Sequence, residues 1–77
     1  MRLSIHPTNG EGPNAVDLEL QKALRVLFDA HIQVDGRGIV GLDGESFGAV
    51  ILRHQSEAKK ALETLGRAGV KASISRG

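Results

Sequence analysis

A short loop near the start of the chain carries the residues best suited to hold a small ligand. It reads Asn9-Gly10-Glu11-Gly12-Pro13-Asn14 and stands just before the first predicted helix. The free backbone N–H groups at a helix N-terminus suit a carboxylate or another small anion. The loop therefore predicts an anion cradle, and its plainer interpretation is an ordinary polar turn. Glu11 opposes an anion but can pair with an amino group of the same ligand.

Three histidines raise the question of a metal site. His31 precedes the second predicted strand and His54 follows the third, so antiparallel pairing places both near one end of the sheet, with His6 at the other. Asp29 and Glu57 could add carboxylate ligands. Two histidines alone are an incomplete set, since zinc sites usually have three or four protein ligands. We therefore expect solvated histidines at strand ends, with no metal and no cofactor.

Other reaction chemistry has little support. Gly36-Arg37-Gly38 resembles a fragment of a phosphate loop but lacks the rest of such a motif, so we interpret its glycines as backbone accommodation. Nucleophilic catalysis needs Ser, Cys or Thr held by a base, and no such arrangement can be inferred from this sequence, although distant serine-histidine pairs stay open. The absence of cysteine excludes the Cys-x-x-Cys of metal chaperones, and Phe47, alone among aromatic residues on predicted strands, gives no stacking surface for RNA. We expect a binding protein and not an enzyme.

Size and composition narrow the class further. A chain of 77 residues forms one domain, residues 1–77, and buries only about 60% of its unfolded surface. Without cysteine, Trp or Tyr, association with a second copy is one of few ways to bury more. The net charge of +1 gives no attraction to nucleic acid or to an anionic membrane. No apolar run is long enough for a membrane span or a signal peptide, so we expect a cytoplasmic protein. Because association buries more surface, we expect this protein to be a homodimer.

Hydrophobic periodicity predicts two strand-helix-strand units. In the first, Arg2–Ile5 alternates as a half-buried strand, a helix with Asn14 as its N-cap ends near Ala30, and Ile32–Val40 forms the second strand. The polar residues Asp17 and Gln21 are i,i+4 neighbours on the solvent-exposed face of this helix. The apolar stripe predicted for this helix consists of Val16, Leu18, Leu20, Ala23, Leu24, Leu27 and Phe28.

The second unit begins after a polar hairpin turn at Asp43-Gly44, a strong turn signal. Phe47–Arg53 is apolar at every position from Ala49 to Leu52, which is typical of a strand in the centre of a sheet. Ser56 is the expected cap of the second helix, and Gly69–Ile74 is the last strand.

The order β-α-β-β-α-β with right-handed crossovers predicts an α+β ferredoxin-like sandwich. Its four-stranded antiparallel sheet has the order 4-1-3-2, with both helices on one face. On the third strand Ala49 and Ile51 point to one face, and Val50 and Leu52 to the other. One of these pairs must lie on the face without helices. An uncovered apolar face usually marks an interface, so we expect dimerisation through the sheet face or an edge.

Four segments follow a pattern known from one family. They read Ala30-His-Ile-Gln-Val-Asp-Gly36, Phe47–Leu52, Ala58-Lys-Lys-Ala-Leu62 and Ala68-Gly-Val-Lys-Ala72. The chain in this part resembles an ACT domain, a small ligand-binding module of regulated enzymes in amino-acid metabolism. The family's Pro-Gly pair followed by leucine corresponds here to Gly12-Pro13 in a longer loop, with the first leucine at Leu18.

The resemblance implies a ligand and a place for it. In the family, an amino acid lies at the N-terminus of the first helix, often across a dimer interface. Carried over to this chain, the site consists of Asn9, Gly10, Glu11, Gly12, Pro13 and Asn14 of one copy with Gln33 and Val34 of the other. The first hypothesis is therefore a stand-alone ACT-like regulatory module that binds an amino acid. The alternative is a protein-interaction or assembly module with no small ligand, which uses the open sheet face or an edge strand.

Overall fold

The computed structural model describes residues 2–7, 10, 12–42 and 45–75. Its elements in chain order are β1 (Arg2–His6), α1 (Pro13–Asp29), β2 (Val34–Leu42), β3 (Glu45–Leu52), a short 3₁₀ turn (Gln55–Glu57), α2 (Ala58–Arg67) and β4 (Lys71–Ser75). The strands form one antiparallel sheet in the order β2-β3-β1-β4, which is 4-1-3-2 counted from the β4 edge. The predicted ferredoxin-like fold is confirmed. The turn predicted at Asp43-Gly44 lies outside the described residues, between the paired Leu42 and Glu45.

The hydrophobic core lies between the two helices and one face of the sheet. Leu3 and Ile5 on β1 and Val50 and Leu52 on β3 contribute from the sheet, each at most 3% exposed. The helices and the turns after them contribute Val16, Leu20, Ala23, Leu27, Ile32, Ala58, Ala61, Leu65 and Val70. The core therefore centres on β3 and β1, the two inner strands, as the apolar run on the third strand predicted.

The opposite face of the sheet carries no helix. Because side chains alternate along β3, Phe47, Ala49 and Ile51 point to this open face. Ala49 is only 7% exposed, whereas Ile51 is 39% exposed. The expectation that the third strand is buried on both faces is therefore correct for Ala49 and wrong for Ile51.

A β-bulge near the start of β2 changes which face its residues occupy. Val34 pairs with Leu52, Gly36 with Ile51 and Arg37 with Val50, so the register shifts between Val34 and Gly36. Such a bulge inserts one residue and reverses the alternation beyond it. Arg37 consequently points to the side of the helices, on a strand at the edge of the sheet.

Both helices begin differently from the prediction. Gly12 is the N-cap of α1 and Pro13 occupies its first turn, a position that suits proline because its φ is already helical and no N–H is needed. Asn14 therefore lies inside the helix, and the prediction that it is the cap is wrong. Ser56 lies within the 3₁₀ turn that precedes α2, and in the part of the chain that the structure describes no side chain caps either helix.

The apolar stripe of α1 is narrower than predicted. Val16, Leu20 and Leu27 are buried, but Leu18 is 69% exposed and Phe28 is 79% exposed. At 100° per residue Leu18 lies on the far side of the helix from this stripe. Phe28 lies toward β2, the edge strand, where the sheet ends and leaves the ring in solvent. The prediction that both belong to the buried face is wrong.

Both helices end in the same hydrogen-bonded turn. At the end of α1, His31 has φ 60 and donates its N–H to Phe28 O at 3.0 Å, while Ile32 donates to Leu27 O at 2.9 Å. This is the Schellman arrangement, whose left-handed residue is usually glycine. Gly69 occupies the equivalent place after α2, with φ 79. The first helix thus ends on a histidine in a conformation that glycine adopts more easily.

Candidate functional site

The predicted anion cradle is partly described by the structure. Gly10 has φ 113, and Gly12 has φ 89 with ψ 175, a backbone region open almost solely to glycine. Asn9 and Glu11 lie outside the described residues. Gly12 is therefore the residue that directs the chain into α1, and its carbonyl accepts the N–H of Val16 at 3.1 Å.

The first turn of α1 offers backbone donors. An α-helix leaves the N–H groups of its first turn without intrahelical partners. Pro13 has no N–H, so Asn14 and Ala15 supply these donors in α1. No acidic side chain lies in this turn, and none of the side chains in the described residues caps it. These N–H groups are of the type that the predicted carboxylate needs, and the anion cradle itself stays a prediction.

Gln33 and Val34 lie at the opposite end of α1 from the loop that precedes it. They follow the C-terminus of α1, which is 17 residues and hence about 25 Å long. Gln33 is exposed, its side-chain Oε1 accepts from Arg53 Nη1 at 3.5 Å, and its backbone O accepts from Arg53 N at 3.1 Å. One copy of the chain therefore does not bring its own Gln33 and Val34 to the loop before α1.

A groove that the sequence did not reveal runs between α1 and β2. One section, about 520 Å³ in volume, lies between the N-terminal half of the helix and the middle of the strand. It is lined by Asp17, Leu20, Gln21, Leu24, Arg37, Gly38 and Ile39. A second section, about 410 Å³, continues past Leu24 to Phe28 and Val34. The groove exists because β2 is the edge strand of the sheet and α1 extends beyond this edge.

Arg37 lies in this groove because of the bulge. Regular alternation from Val34 places residue 37 on the opposite face from Val34, so the strand pattern alone points Arg37 away from the helices. The bulge between Val34 and Gly36 reverses that placement. A glycine inside a strand pattern was the available signal, since it indicates a bulge or a close approach.

The three histidines do not converge. His6 lies on the open face, where its Nε2 hydrogen-bonds Ser73 Oγ at 3.3 Å and its ring lies 6.2 Å from that of Phe47. His31 and His54 flank the opposite end of the sheet, as predicted. Among the described residues, no group of three or more His, Asp or Glu side chains is arranged to hold a metal ion.

No helix in the described part of the chain is both long and apolar enough to cross a membrane.

Comparison with known proteins shows the fold of this chain. No protein-family model matches the chain, and no curated protein matches its sequence. Protein BT0572 from Bacteroides thetaiotaomicron matches 96% of this chain with 22% identity and a TM-score of 0.65. A prephenate dehydratase from Streptococcus mutans matches 95% of this chain with 23% identity and a TM-score of 0.62. The chain spans 45% and 39% of those two chains, respectively. At these identities the likeness shows the fold alone, and it is compatible with an ACT-like fold.

Proposed function

We propose that this chain is an ACT-like regulatory module that binds an amino acid between two copies of itself. The observation that carries the proposal is the position of β2, a nine-residue strand at the edge of the sheet, beside the groove along α1. An edge strand presents N–H and C=O groups that can pair with another strand. The likeness to part of a prephenate dehydratase supports the same assignment.

Antiparallel pairing of two β2 strands about a two-fold axis brings the predicted site together. In each chain β2 starts at the end of the sheet where α1 stops. The two-fold rotation reverses this direction, so the start of one β2 lies beside the N-terminus of the partner's α1. Gln33 and Val34 of one copy then approach Gly12 and Asn14 of the other, although they lie about 25 Å apart within one chain.

The same pairing covers the exposed apolar side chains beside the edge. Phe28 is 79% exposed and Ile39 is 43% exposed, and both line the groove between α1 and β2. Burying a phenylalanine is worth roughly 1.5–3 kcal/mol. Two copies related by a two-fold axis each contribute this ring, so it is the principal apolar anchor of the proposed dimer.

A ligand held by both chains couples binding to association. The first-turn N–H groups of α1 receive the carboxylate, and the partner's Gln33 contributes an amide beside it. Because the complete site exists in the dimer alone, the amino acid stabilises the dimer, and the dimer in turn raises the affinity for the amino acid. This linkage is what makes the module regulatory.

Sedimentation equilibrium with and without a mixture of amino acids tests the proposal. We expect a dimer whose dissociation constant falls when amino acids are added. Phe28→Ser is expected to weaken the dimer about tenfold or more. Leu18→Ser is the matched control, because Leu18 is 69% exposed on the same helix but points away from the sheet. A monomer at all concentrations, or equal effects of the two substitutions, contradicts the proposed interface.

The open sheet face favours the alternative, an assembly module without a ligand. Phe47, Ala49 and Ile51 form an apolar strip there, with Ile51 39% exposed. If association depends on this strip, Ile51→Lys disrupts the dimer and Phe28→Ser does not. The reverse result favours edge pairing through β2.

A further inference from the structure

The open face of the sheet, opposite the helices, carries a row of large side chains that crosses the strands. The register places Val40 beside Phe47 and His6 beside Lys71. The rings of Phe47 and His6 lie 6.2 Å apart, with an angle of 36° between their planes. Both are half-buried on the two inner strands, β3 and β1. The face therefore offers two neighbouring rings, whereas the strand pattern of the sequence identified Phe47 alone.

The next row on this face consists of small side chains. Its members pair in order across β2, β3, β1 and β4, and they are Gly38, Ala49, Ser4 and Ser73. Ala49 and Ser4 are each 7% exposed, although no helix covers them. Beyond this row Ile51 pairs with Arg2, which restores larger side chains. The small row is therefore the floor of a shallow trough that runs across the sheet.

The hydroxyl of Ser4 is a polar group on this floor without a partner. Leu3 and Ile5 on either side of it are in the core, so Ser4 points to the open face. Within residues 2–7, 10, 12–42 and 45–75, its hydroxyl makes no hydrogen bond. Ser73 differs, because its Oγ lies 3.3 Å from His6 Nε2. An unpaired polar group that is 7% exposed is costly, so Ser4 is suited to bond a polar group that enters the trough.

The charges on this face suit an anionic partner. Lys71 is exposed, and in the described part of the chain no ion pair or hydrogen bond engages its ammonium. Arg2 carries a second positive charge on the same face. Asp35, at the bulge in β2, lies 3.7 Å from Arg53, which offsets its charge. A second copy on this face brings the same two cations, whereas a phosphate backbone neutralises them.

We propose that the open face binds single-stranded nucleic acid. Unpaired bases stack on the rings of Phe47 and His6, the Ser4 hydroxyl bonds the edge of a base in the trough, and Lys71 binds a phosphate. Four-stranded sheets with aromatic side chains bind the unpaired bases of RNA by such stacking, which tolerates different sequences. The inference departs from the sequence-based expectation of no nucleic-acid partner, which used the charge of the whole chain. It does not depend on the proposed amino-acid module, because the groove along α1 lies on the other side of the sheet.

Fluorescence anisotropy with a labelled RNA of about eight nucleotides and mixed sequence tests the proposal. The same sequence as a duplex is the matched probe, because its bases are paired and stacked with one another. We expect the single strand to bind about tenfold or more tightly than the duplex, because stacking on each ring is worth about fivefold or more. Two phosphate contacts predict a slope of about −1.4 for the logarithm of the binding constant against that of the salt concentration.

Three substitutions separate the roles of the ring, the cation and the hydroxyl. Phe47→Leu keeps an apolar side chain but removes the ring, and should weaken binding about fivefold or more. Lys71→Gln should make the salt slope shallower by about 0.7, and Ser4→Ala should weaken binding about threefold at an unchanged slope. The matched controls, Phe28→Leu and Lys59→Gln, make the same changes on the helices and should bind RNA as the wild type does. Circular dichroism checks the fold of each variant, and the exposed Lys71 tests the site even if Phe47→Leu does not fold.

Four results overturn the inference. Equal affinity for single strand and duplex shows attraction by charge without stacking. Equal effects of the substitutions and their matched controls place the binding elsewhere on the chain. Competition by polyglutamate as strong as that by unlabelled RNA shows that the face takes an acidic polypeptide. No binding of RNA by the wild type removes the site and leaves the proposed amino-acid module standing.

Discussion

Replacing His31 with glycine is expected to stabilise the fold. His31 has φ 60 at the end of α1, and its N–H and that of Ile32 close the turn onto Phe28 O and Leu27 O. These bonds are made by the backbone and survive the substitution. The left-handed conformation costs a residue with a Cβ roughly 1–2 kcal/mol, and histidine lies near the lower end of this range because it tolerates the region better than most residues.

The net gain is smaller than the strain released. Glycine also makes the unfolded chain more flexible, which costs about 0.4–1 kcal/mol of stability. A relief of about 1 kcal/mol against a loss of about 0.7 kcal/mol leaves a gain of about 0.3 kcal/mol. For a domain of 60–100 residues this raises the melting temperature by roughly 1–2 °C.

Urea unfolding of the wild type and three variants at one protein concentration measures the effect. His31→Gly should gain a little stability, and Gly69→Ala should lose more than this gain, since Gly69 has φ 79 and alanine tolerates this region less well than histidine. His54→Gly is the matched control, because His54 is exposed with φ −115 and has no strain to release. Equal losses in His31→Gly and His54→Gly refute the reasoning.

Two further stability predictions follow from contacts on β2 and β3. A Cβ at Gly48 stands 3.1 Å from Leu20 Cδ1, so Gly48→Ala should cost about 1–3 kcal/mol, whereas Gly38→Ala meets nothing within 4 Å and should stay near the wild type in urea unfolding. If the two substitutions cost the same, the close approach of α1 to β3 is wrong. The ion pair of Arg53 with Asp35 is 59% and 55% exposed, so Arg53→Gln should change the unfolding free energy by less than about 1 kcal/mol. A larger loss shows that this pair organises the start of β2.

The fold was predictable because it depends on local periodicity and on the handedness of crossovers. The apolar run from Ala49 to Leu52 placed the third strand at the centre of the sheet, where the structure has it. The i,i+4 relation of Asp17 and Gln21 likewise appears as a hydrogen bond of 2.9 Å. Each of these features depends on residues that are close together in the sequence. Burial of the apolar side of each helix and strand then specifies how these elements pack.

The groove between α1 and β2 was not predictable from the same patterns. Its charged wall depends on a bulge at one point of β2, and a shift of one residue moves every later side chain to the other face. Gly36 and Gly38 indicated an irregular strand but not where the extra residue lies. Phe28 is exposed because the sheet ends beneath this part of the helix. The spacing of apolar residues along the helix gives no information about where the sheet ends.

The start of α1 was predicted two residues too late. Gly12 rather than Asn14 begins the helix, because a proline at the first helical position moves the start of α1 toward the N-terminus. The donors that face the predicted ligand are consequently the N–H groups of Asn14 and Ala15. The predicted contributions of Asn9 and Glu11 lie outside the described residues and remain predictions.

The melting temperature of the wild-type chain tests most directly whether this fold binds an amino acid. The measurement is made at one protein concentration with each of the twenty amino acids at millimolar concentration. A ligand at 100 times its dissociation constant adds about 2.7 kcal/mol, which raises the melting temperature of a domain this size by roughly 10 °C or more. We predict such a shift with at least one of the twenty. No shift with any of the twenty contradicts the account.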